Sequence, residues 1–224
     1  MIFISYESFE NLDENKKARI INAGFSVFAE HGYDKASVDD IVKLAGISKG
    51  SLFYYFKSKH NFFNYLIDCC LKITEKTINV PDSEGKASYL KYTDFFERIN
   101  AIHLLKMKTN LEYPQMAAFM KKVIFDSSAV AQEAIKNIIQ NYSGDRIKEF
   151  FAGLDLAKFK DGIDPMMVIQ LLVWCSEGCV NQILMQHKMA GGFGQSEPDF
   201  EQVIALYYKY VDLFRKNFYK EEFL

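Results

Sequence analysis

The stretch SVDDIVKLAGISKGSLFYYFKSK, residues 37–59, decides the fold. It opens at Ser37 with a pattern that resembles a capping box, which predicts the start of a short helix. Gly46 ends that helix, because a sharp reversal between helices needs a left-handed backbone conformation that glycine adopts at little cost. Ser48 is placed to cap a second helix, predicted over Lys49–Phe56. The stretch therefore predicts two short helices joined by a tight turn.

Each of the two predicted helices has a buried face and an outward face. In the first helix we expect Ile41, Leu44 and Ala45 to be buried. In the second helix we expect Leu52 and Phe56 to be buried, since they lie four positions apart on one face. The residues left on the outward side and the leading end of the second helix are Lys49, Gly50, Ser51, Tyr54 and Tyr55.

Positive charge is concentrated in this stretch, although the chain as a whole is not basic. The formal net charge is -2, which argues against nucleic-acid binding through overall basicity. Between residues 41 and 67, however, the charged side chains are those of Lys43, Lys49, Lys57 and Lys59, with no acidic residue. A lysine-bearing face on its own is most simply solvated surface. Lysines on a helix-turn-helix pattern are instead typical of DNA-binding proteins.

The composition places the chain among globular proteins. Its 224 residues, 49% hydrophobic and 15% aromatic, can bury a sizeable core and exclude a disordered or fibrous class. The first residues lack the basic segment of a signal peptide. The longest apolar block, residues 166–175, is too short to span a bilayer. We therefore expect a cytoplasmic protein with no membrane partner.

The four cysteines do not form a metal-binding pattern. They are Cys69, Cys70, Cys175 and Cys179, and no histidines accompany them at zinc-finger spacing. We expect reduced thiols that pack as small apolar side chains. The sequence also offers no catalytic nucleophile and base at a recognisable spacing and no cofactor fingerprint. We therefore expect no metal, no cofactor and no enzymatic activity, with an enzyme of unrecognised motif and a helical protein-interaction module as the alternatives.

Helical periodicity continues on both sides of the central stretch. A supporting helix is predicted over residues 13–31, with His31 and Gly32 as its stop, whereas residues 1–12 give no periodic signal. A connecting helix begins at Ser58 and reaches about Asn79, and a loop follows at residues 81–86. The remaining helical patterns cover residues 89–109, 114–125, 128–151, 164–189 and 197–220. Strand-like alternation is missing, so the sequence predicts an all-α fold.

The last two predicted helices carry more apolar surface than one core needs. Asp164 followed by Pro165 is a strong start signal, and the helix that follows to about Met189 is apolar almost all round. Such a helix must be covered on more than one side. The final helix, residues 197–220, has two apolar flanks. We therefore expect a homodimer that forms through these two helices.

The residues GISKGSLFYYFKSK, 46–59, closely resemble the TetR family of transcriptional regulators, and Phe28-x-x-x-Gly32-Tyr33 resembles the exit of that family's first helix. The resemblance is specific over about residues 13–67. It implies an all-α protomer with an arm and helix-turn-helix DNA-binding domain over residues 1–57. It also implies a second domain, residues 58–224, made of the connecting helix and a helical ligand-binding and dimerisation part.

The resemblance also implies roles for individual residues. Lys49, Gly50, Ser51, Tyr54 and Tyr55 would enter or border the major groove, and Ser37, Ser48 and Lys59 would hold phosphates. These chemistries fit, since hydroxyls and backbone amides at helix N-termini bind phosphate oxygens and lysine donates to guanine. Asp39 departs from the family pattern, which often has a basic residue there; it either accepts from a cytosine amine or faces solvent.

These predictions describe a ligand-responsive, homodimeric DNA-binding regulator, a repressor rather than an activator. A small-molecule effector, apolar or aromatic, would release it from a palindromic DNA operator. Aromatic side chains that would line the effector pocket are Phe95, Phe96, Phe119, Phe125, Tyr142 and Trp174. Each of these aromatics is equally consistent with a place in the helical core.

Overall fold

The computed structural model describes residues 6–142, 144–189 and 200–224. The α-helices in these ranges are α1 (Glu7–Glu10), α2 (Glu14–Lys35), α3 (Val38–Ala45), α4 (Lys49–Phe56), α5 (Lys59–Ile78), α6 (Phe95–Glu112), α7 (Pro114–Phe125), α8 (Ala129–Tyr142), α9 (Gly144–Phe151), α10 (Pro165–Met189) and α11 (Phe200–Phe218). Extended pairing within the same ranges is limited to two isolated bridges, Pro81 with Ala87 and Phe159 with Tyr219. The all-α prediction is therefore confirmed.

Several helix boundaries differ from the predicted ones, and the stretch predicted as one helix over residues 128–151 forms α8 and α9. Helix α2 runs through the expected stop to Lys35, although Gly32 breaks its helical geometry with φ 71° and ψ 178°. Helix α6 begins at Phe95 instead of residue 89, because Ser88–Lys91 forms a 3-10 turn and Asp94 caps the helix that follows. Periodicity alone does not distinguish a 3-10 turn from the first turn of an α-helix.

The chain forms two compact units. The first unit combines Met1–Ser88 with Ile102–Ala152, and the second combines Tyr89–Ala101 with Gly153–Leu224. Helices α7 to α9 thus belong to the same unit as the helix-turn-helix and the connecting helix α5. A functional division after residue 57 remains a prediction.

The first unit is built around a cluster of aromatic rings. The Phe56 ring, at the end of α4, lies 4.7 Å from Phe9, 4.6 Å from Phe62 and 5.2 Å from Tyr65 between ring centroids. The Tyr65 hydroxyl also donates to the Glu10 carboxylate at 2.7 Å. Phe9 and Glu10 belong to α1, so the arm that gave no periodic signal contributes to the core of the helix-turn-helix.

Helix α7 packs along α2 in the same unit. Its buried Phe119 ring lies 5.3 Å from Phe25 and 5.4 Å from Phe63, which are on α2 and α5. Gly24 of α2 allows α5 to approach closely, since an added Cβ would lie 2.6 Å from Cζ of Phe62. Helices α2, α5 and α7 therefore share one continuous core.

The second unit is held by a charged cluster, here called the Asp94 clamp, which consists of Asp94, Lys158 and Arg215. The buried Asp94 carboxylate accepts from Lys158 at 2.9 Å and from Arg215 of α11 at 3.4 Å, and its other oxygen caps α6. Burial raises the pKa of Asp94, but the hydrogen bond from Lys158 and the nearby charges outweigh it and hold that pKa below its ordinary value. The clamp thus joins the start of α6 to α11.

Candidate DNA-binding site

The turn between α3 and α4 has the geometry that its glycine predicts. Gly46 adopts the left-handed conformation, with φ 65° and ψ 40°. Its N–H donates to the Lys43 carbonyl at 3.3 Å, and the Ile47 N–H donates to the Val42 carbonyl at 3.1 Å. These are the two hydrogen bonds of a Schellman motif, which ends α3 and reverses the chain.

Both short helices begin with a serine cap, as predicted. The Ser37 hydroxyl accepts from the Asp39 N–H at 3.1 Å, and the Ser48 hydroxyl accepts from the Ser51 N–H at 3.0 Å. The side-chain oxygens of Ser48 and Ser51 lie 2.8 Å apart, so one donates to the other. The caps fix where α3 and α4 start and bring two hydroxyls together at the leading end of α4.

The leading end and outer side of α4 form a surface that we call the recognition surface. It consists of Ser48, Lys49, Gly50, Ser51 and Tyr54. Leu52 and Phe56 are buried on the opposite side, as the sequence predicts, and the Tyr54 side chain is 63% exposed. The surface therefore presents hydroxyls, one lysine, bare backbone and one aromatic ring to solvent.

Packing within the protein does not require a glycine at position 50. A Cβ placed there would meet no atom closer than the Ser48 hydroxyl, at 3.8 Å. Glycine inside a helix costs roughly 0.5–1 kcal/mol relative to alanine. The chain thus tolerates a stability cost at a place where the backbone is left bare, which suits close approach of an external partner.

Lys49 is paired with Asp39 on the neighbouring helix. The Lys49 Nζ lies 3.0 Å from Oδ1 and 3.1 Å from Oδ2 of Asp39, and both side chains are more than half exposed. An exposed pair of this kind stabilises a protein by only about 0–1 kcal/mol. Lys49 can therefore leave Asp39 at little cost. Asp39, where the family often has a basic residue, forms an ion pair with Lys49 of this protein.

Tyr55 does not face outward as predicted. Its side chain is only 8% exposed, and its ring lies 5.8 Å from Phe9 and 5.5 Å from Tyr54. Tyr55 lies three positions after Leu52, so it turns towards the core once α1 supplies Phe9 as a packing partner. The predicted role of Tyr55 at the groove is therefore corrected to packing beneath the recognition surface.

Lys59 has partners on the protein that the sequence did not reveal. Its Nζ donates to the carbonyls of Tyr33 at 2.8 Å and Ala36 at 3.2 Å, at the end of α2, and lies 4.5 Å above the Tyr33 ring. A cation at a helix C-terminus satisfies carbonyls that have no partner within the helix. The geometry gives Lys59 a structural role, and its predicted phosphate contact stays a prediction.

Helix α3 exposes two residues near the turn. Leu44, which was predicted to be buried, is 60% exposed, and the buried positions are Ile41, Val42 and Ala45. Lys43 is exposed as well. An apolar side chain at position 44 suggests burial, but the stripe that faces the core runs through Ile41, Val42 and Ala45 and leaves residues 43 and 44 on the outer side.

The aromatic residues predicted to line a pocket are partly buried and partly exposed in this structure. Phe95, Phe96 and Phe119 are buried in ring clusters, and their predicted pocket role stays a prediction. Phe125 is 71% exposed and borders a shallow open depression of about 290 Å³ on the first unit, while Trp174 is 60% exposed on α10. The side chain of Tyr142 lies outside the described residues. Helical spacing of aromatic residues therefore does not distinguish buried rings from exposed ones in this protein.

The cysteines behave as apolar residues. All four are free thiols, and burial raises the pKa of each, to about 11 for Cys69. A raised pKa keeps a thiol protonated and therefore weakly nucleophilic. Across residues 6–142, 144–189 and 200–224, no three His, Cys, Asp or Glu side chains lie close enough to hold a metal ion.

Two capped helices, a Schellman turn and an exposed helix N-terminus that carries lysine and hydroxyls define a helix-turn-helix DNA-binding protein. The sequence profile of "Bacterial regulatory proteins, tetR family" matches residues 20–66, which span α2 to α5. This match places the N-terminal part of the chain, with its helix-turn-helix, in the TetR family of regulators.

Similar proteins extend the comparison beyond the matched segment. The chain is 34% identical over 73 residues to "Biofilm operon icaADBC HTH-type negative transcriptional regulator IcaR" of Staphylococcus aureus (strain Newman), covering 33% of this chain. The match spans 38% of the length of that relative. Similarity of sequence to this regulator is therefore confined to about the DNA-binding end.

Solved structures with the same fold cover nearly the whole chain. A TetR family regulator from Chloroflexus aurantiacus superposes with a TM-score of 0.65 at 20% identity, covering 96% of this chain and 98% of that one. The regulator FadR from Bacillus subtilis, solved in complex with stearoyl-CoA, gives a TM-score of 0.58 at 19% identity, covering 88% and 96%. These likenesses concern the fold.

Proposed function

We propose that the protein represses transcription by binding operator DNA as a homodimer until a small molecule releases it. The observation that carries the proposal is the recognition surface, where capped hydroxyls, a weakly held lysine and a bare glycine meet at one exposed helix end. The negative regulator IcaR, similar over the DNA-binding end, supports repression rather than activation. Operator binding in turn implies a cytoplasmic protein.

In the proposed complex, α4 enters the major groove with its N-terminus first. Lys49 leaves Asp39 and donates to the acceptors of a guanine edge, while Ser51 and Tyr54 contact neighbouring bases. Ser37 donates its hydroxyl proton to a phosphate, since its cap uses only the oxygen as an acceptor. Ser48 does the same when Ser51 is the donor of the hydrogen bond between their two hydroxyls. Gly50 lets the backbone approach the duplex.

DNA binding is tested with the full chain and a duplex that it enriches from a randomised library. Affinity is measured across a salt series for the unaltered protein, Lys49→Ala and Lys86→Ala. Lys86 is a matched control, because it too forms an exposed ion pair, at 3.1 Å to Glu84, but lies in a loop away from α4. Lys49→Ala should weaken binding and relax base preference, whereas Lys86→Ala should do neither. Equal affinities for all three proteins would contradict the proposal.

Dimerisation is proposed to bury the exposed apolar face of α10 and α11. These helices pack against each other and still expose large apolar side chains. The exposed ones are Met166, Met167, Val173, Trp174, Met185, Met189, Tyr208, Tyr210 and Leu213. Large exposed apolar side chains in such number usually mark an interaction surface. The segment Pro165–Ile183 is also long and apolar enough to cross a membrane by length and composition alone, and a second copy of the chain accounts for the same apolarity.

A two-fold dimer would place the two recognition surfaces on two half-sites of a near-palindromic operator. Half-sites read by such dimers lie about one helical turn apart, roughly 34–36 Å. A ligand releases the operator only if it binds the DNA-free arrangement better than the DNA-bound one. Reversing a 1:99 equilibrium takes about 5.5 kcal/mol of differential affinity.

The proposed effector is an apolar or aromatic small molecule that acts on the helices after residue 80. Support comes from the similarly folded FadR, which was solved with stearoyl-CoA. Stearoyl-CoA is therefore the first probe, added to the complex of the full chain with its enriched duplex. Release of the duplex at a concentration that also shifts the melting temperature of the free protein would support this class of ligand. An unchanged melting temperature would exclude stearoyl-CoA itself.

A further inference from the structure

One residue ahead of the recognition helices is held from two directions. The Tyr33 N–H donates to Oδ2 of Asp126 at 2.8 Å, and the Tyr33 carbonyl accepts from the Lys59 Nζ at 2.8 Å. Asp126 follows the last residue of α7, and Lys59 is the first residue of α5. Four residues after Tyr33, Ser37 caps α3. The start of α5 and the end of α7 therefore hold the same backbone segment.

The carboxylate reaches this backbone because the neighbouring residue has no side chain. Gly32 has φ 71°, and a Cβ added there would lie 2.5 Å from Oδ2 of Asp126 and 3.1 Å from Cε of Lys122. Substitution would thus be strained both by conformation and by contact. Gly32 serves two purposes, since it breaks the geometry of α2 and admits Asp126.

Asp126 is itself held firmly on the α7–α8 side. Its Oδ1 accepts from the Ser128 N–H at 2.8 Å, and its backbone carbonyl accepts from the Gln132 side chain at 2.6 Å. Burial raises the pKa of Asp126, but backbone hydrogen bonds from Ser128 and Tyr33 outweigh it and leave that pKa below its ordinary value. The residue is therefore an ionised acceptor at neutral pH, with each oxygen bound to a different element.

The ring of Tyr33 anchors the segment from the side of α5. Its centroid lies 5.0 Å from that of Phe63, and the Lys59 ammonium lies 4.5 Å above it. The segment 33–37 is thus fixed by a ring contact and a lysine from α5, and by one carboxylate from the α7–α8 turn. Of these contacts, the one from Asp126 is the link to helices beyond residue 80.

We propose that Asp126 is a positioning residue that couples the α7–α8 turn to the recognition helices through the Tyr33 backbone. A shift of the α7–α8 turn would pull on the segment that precedes α3 and so change the orientation of α3 and α4. The proposal rests on the proposed function, because the orientation matters only if these helices bind DNA. In this proposal, the Asp126 carboxylate transmits a movement of the proposed effector-binding helices to the helices that bind DNA.

The first test compares Asp126→Ala, Asp126→Asn and Ser128→Ala in the full chain. Ser128→Ala is the comparison variant: it removes the cap of α8 at the Ala131 N–H, 3.3 Å away, and the hydroxyl contact with Asp126, but neither of the backbone N–H groups that bind the carboxylate, those of Ser128 and Tyr33. Changes along a coupling route typically alter affinity by about two- to thirtyfold. We expect Asp126→Ala to weaken binding to the enriched duplex within that range, and Asp126→Asn, with one acceptor for two donors, to weaken it less. Ser128→Ala should leave affinity within about twofold.

The second test measures backbone amide exchange in the same proteins without DNA. We expect faster exchange at Tyr33 and at the first turns of α3 in Asp126→Ala, and unchanged exchange there in Ser128→Ala. If Asp126→Ala does not fold, Asp126→Asn carries the test in both measurements. Unaltered affinity in folded variants would overturn the proposal. An equal loss of affinity in Ser128→Ala would show that Asp126 only stabilises the turn.

The two tests also separate this proposal from the proposed function. If the unaltered protein enriches no duplex, the proposed function fails, and the exchange measurement still decides whether Asp126 restrains the segment 33–37. If the unaltered protein binds its duplex and Asp126→Ala binds equally well, the proposed function stands and the coupling through Asp126 fails.

Discussion

Helices α4 and α10 each present an exposed aromatic ring, and the difference in what surrounds the two rings is instructive. Tyr54 is 63% exposed beside serines, a lysine and a bare glycine. Trp174 is 60% exposed on a helix whose other exposed side chains include Met167 and Met185. A ring among donors suits a polyanion, whereas a ring among aliphatic groups suits an apolar partner. Exposure alone thus says little about a partner until the neighbours are considered.

The buried residues that hold the two exposed rings in place differ as well. The largest expected effect comes from removing a ring of the cluster beneath α4. Phe56→Ala removes a fully buried ring from the cluster with Phe9, Phe62 and Tyr65. Loss of such a ring should destabilise the protein by about 3–5 kcal/mol, measured by denaturant unfolding. Tyr54→Ala, two positions earlier, should cost less than about 0.5 kcal/mol while weakening DNA binding. Similar losses of stability in both variants would remove the distinction between support and recognition surface.

The support in the unit that carries α10 is charged instead of aromatic. Asp94→Ala leaves Lys158 and Arg215 facing each other without their shared carboxylate, which should cost about 3 kcal/mol. The folded pKa of Asp94 lies below the ordinary value of 3.8, so the carboxylate stabilises the fold above that pH. That contribution should fade as the pH falls below about 3.8 through the lowered folded value. Unfolding curves of the unaltered protein and Asp94→Ala should therefore converge in acid, and a constant difference would contradict the clamp.

The partner of the α10 ring is tested by Trp174→Glu. A buried Trp at an interface typically contributes 2 kcal/mol or more, about thirtyfold in affinity, and a carboxylate placed there adds a desolvation cost. Sedimentation should show dissociation to monomers. Ile124→Glu is the matched control, because Ile124 is also an exposed apolar residue but lies on α7, outside the proposed interface. Dissociation by both variants, or by neither, would argue against a dimer through α10 and α11.

On α4, substitution of Gly50 should raise the stability of the protein and lower its affinity for DNA. Gly50→Ala should stabilise the protein by roughly 0.5–1 kcal/mol, since the added Cβ meets open space and helix propensity improves. The same methyl group should obstruct the backbone from the duplex and weaken DNA binding. Thermal unfolding and duplex titration of one preparation check both signs. A variant that is more stable and binds equally well would mean that DNA does not approach Gly50 closely.

The smallest expected effect concerns the ion pair on the recognition surface. Asp39→Asn should free Lys49 and remove a negative charge that faces the duplex, which raises affinity by at most about fivefold at low salt. Glu84→Gln, which frees Lys86 in a loop, is the control and should change nothing. A loss of affinity in Asp39→Asn would show instead that Asp39 itself contacts a base.

The contrast between these regions also explains what the sequence could predict. The α3–α4 turn is governed by local chemistry, so Ser37, Gly46 and Ser48 could be assigned from their neighbours in the chain, and the structure confirms these assignments. Tyr55 and Lys59 could not, because each takes a partner from a distant segment, Phe9 of α1 and the end of α2. The prediction of an outward Tyr55 failed for that reason.

Apolar residues were the other source of error. Leu44 and Phe96 both contribute to an apolar pattern, yet one is exposed and the other is buried. Helical periodicity indicates a face, but it does not say whether core, ligand or a second copy covers that face. Phe95, Phe96 and Phe119 are each in contact with neighbouring rings, so their burial is consistent both with core packing and with the predicted pocket.

The most direct test of the central claim is protection of guanine N7 from methylation in the enriched duplex. N7 lies in the major groove and is an acceptor that a lysine can occupy. The full chain should protect guanines in two half-sites about one helical turn apart, and Lys49→Ala should lose the protection of one guanine in each half-site. Protection that is unchanged in Lys49→Ala, or a bound duplex with no protected major-groove guanine, would contradict recognition through the N-terminus of α4.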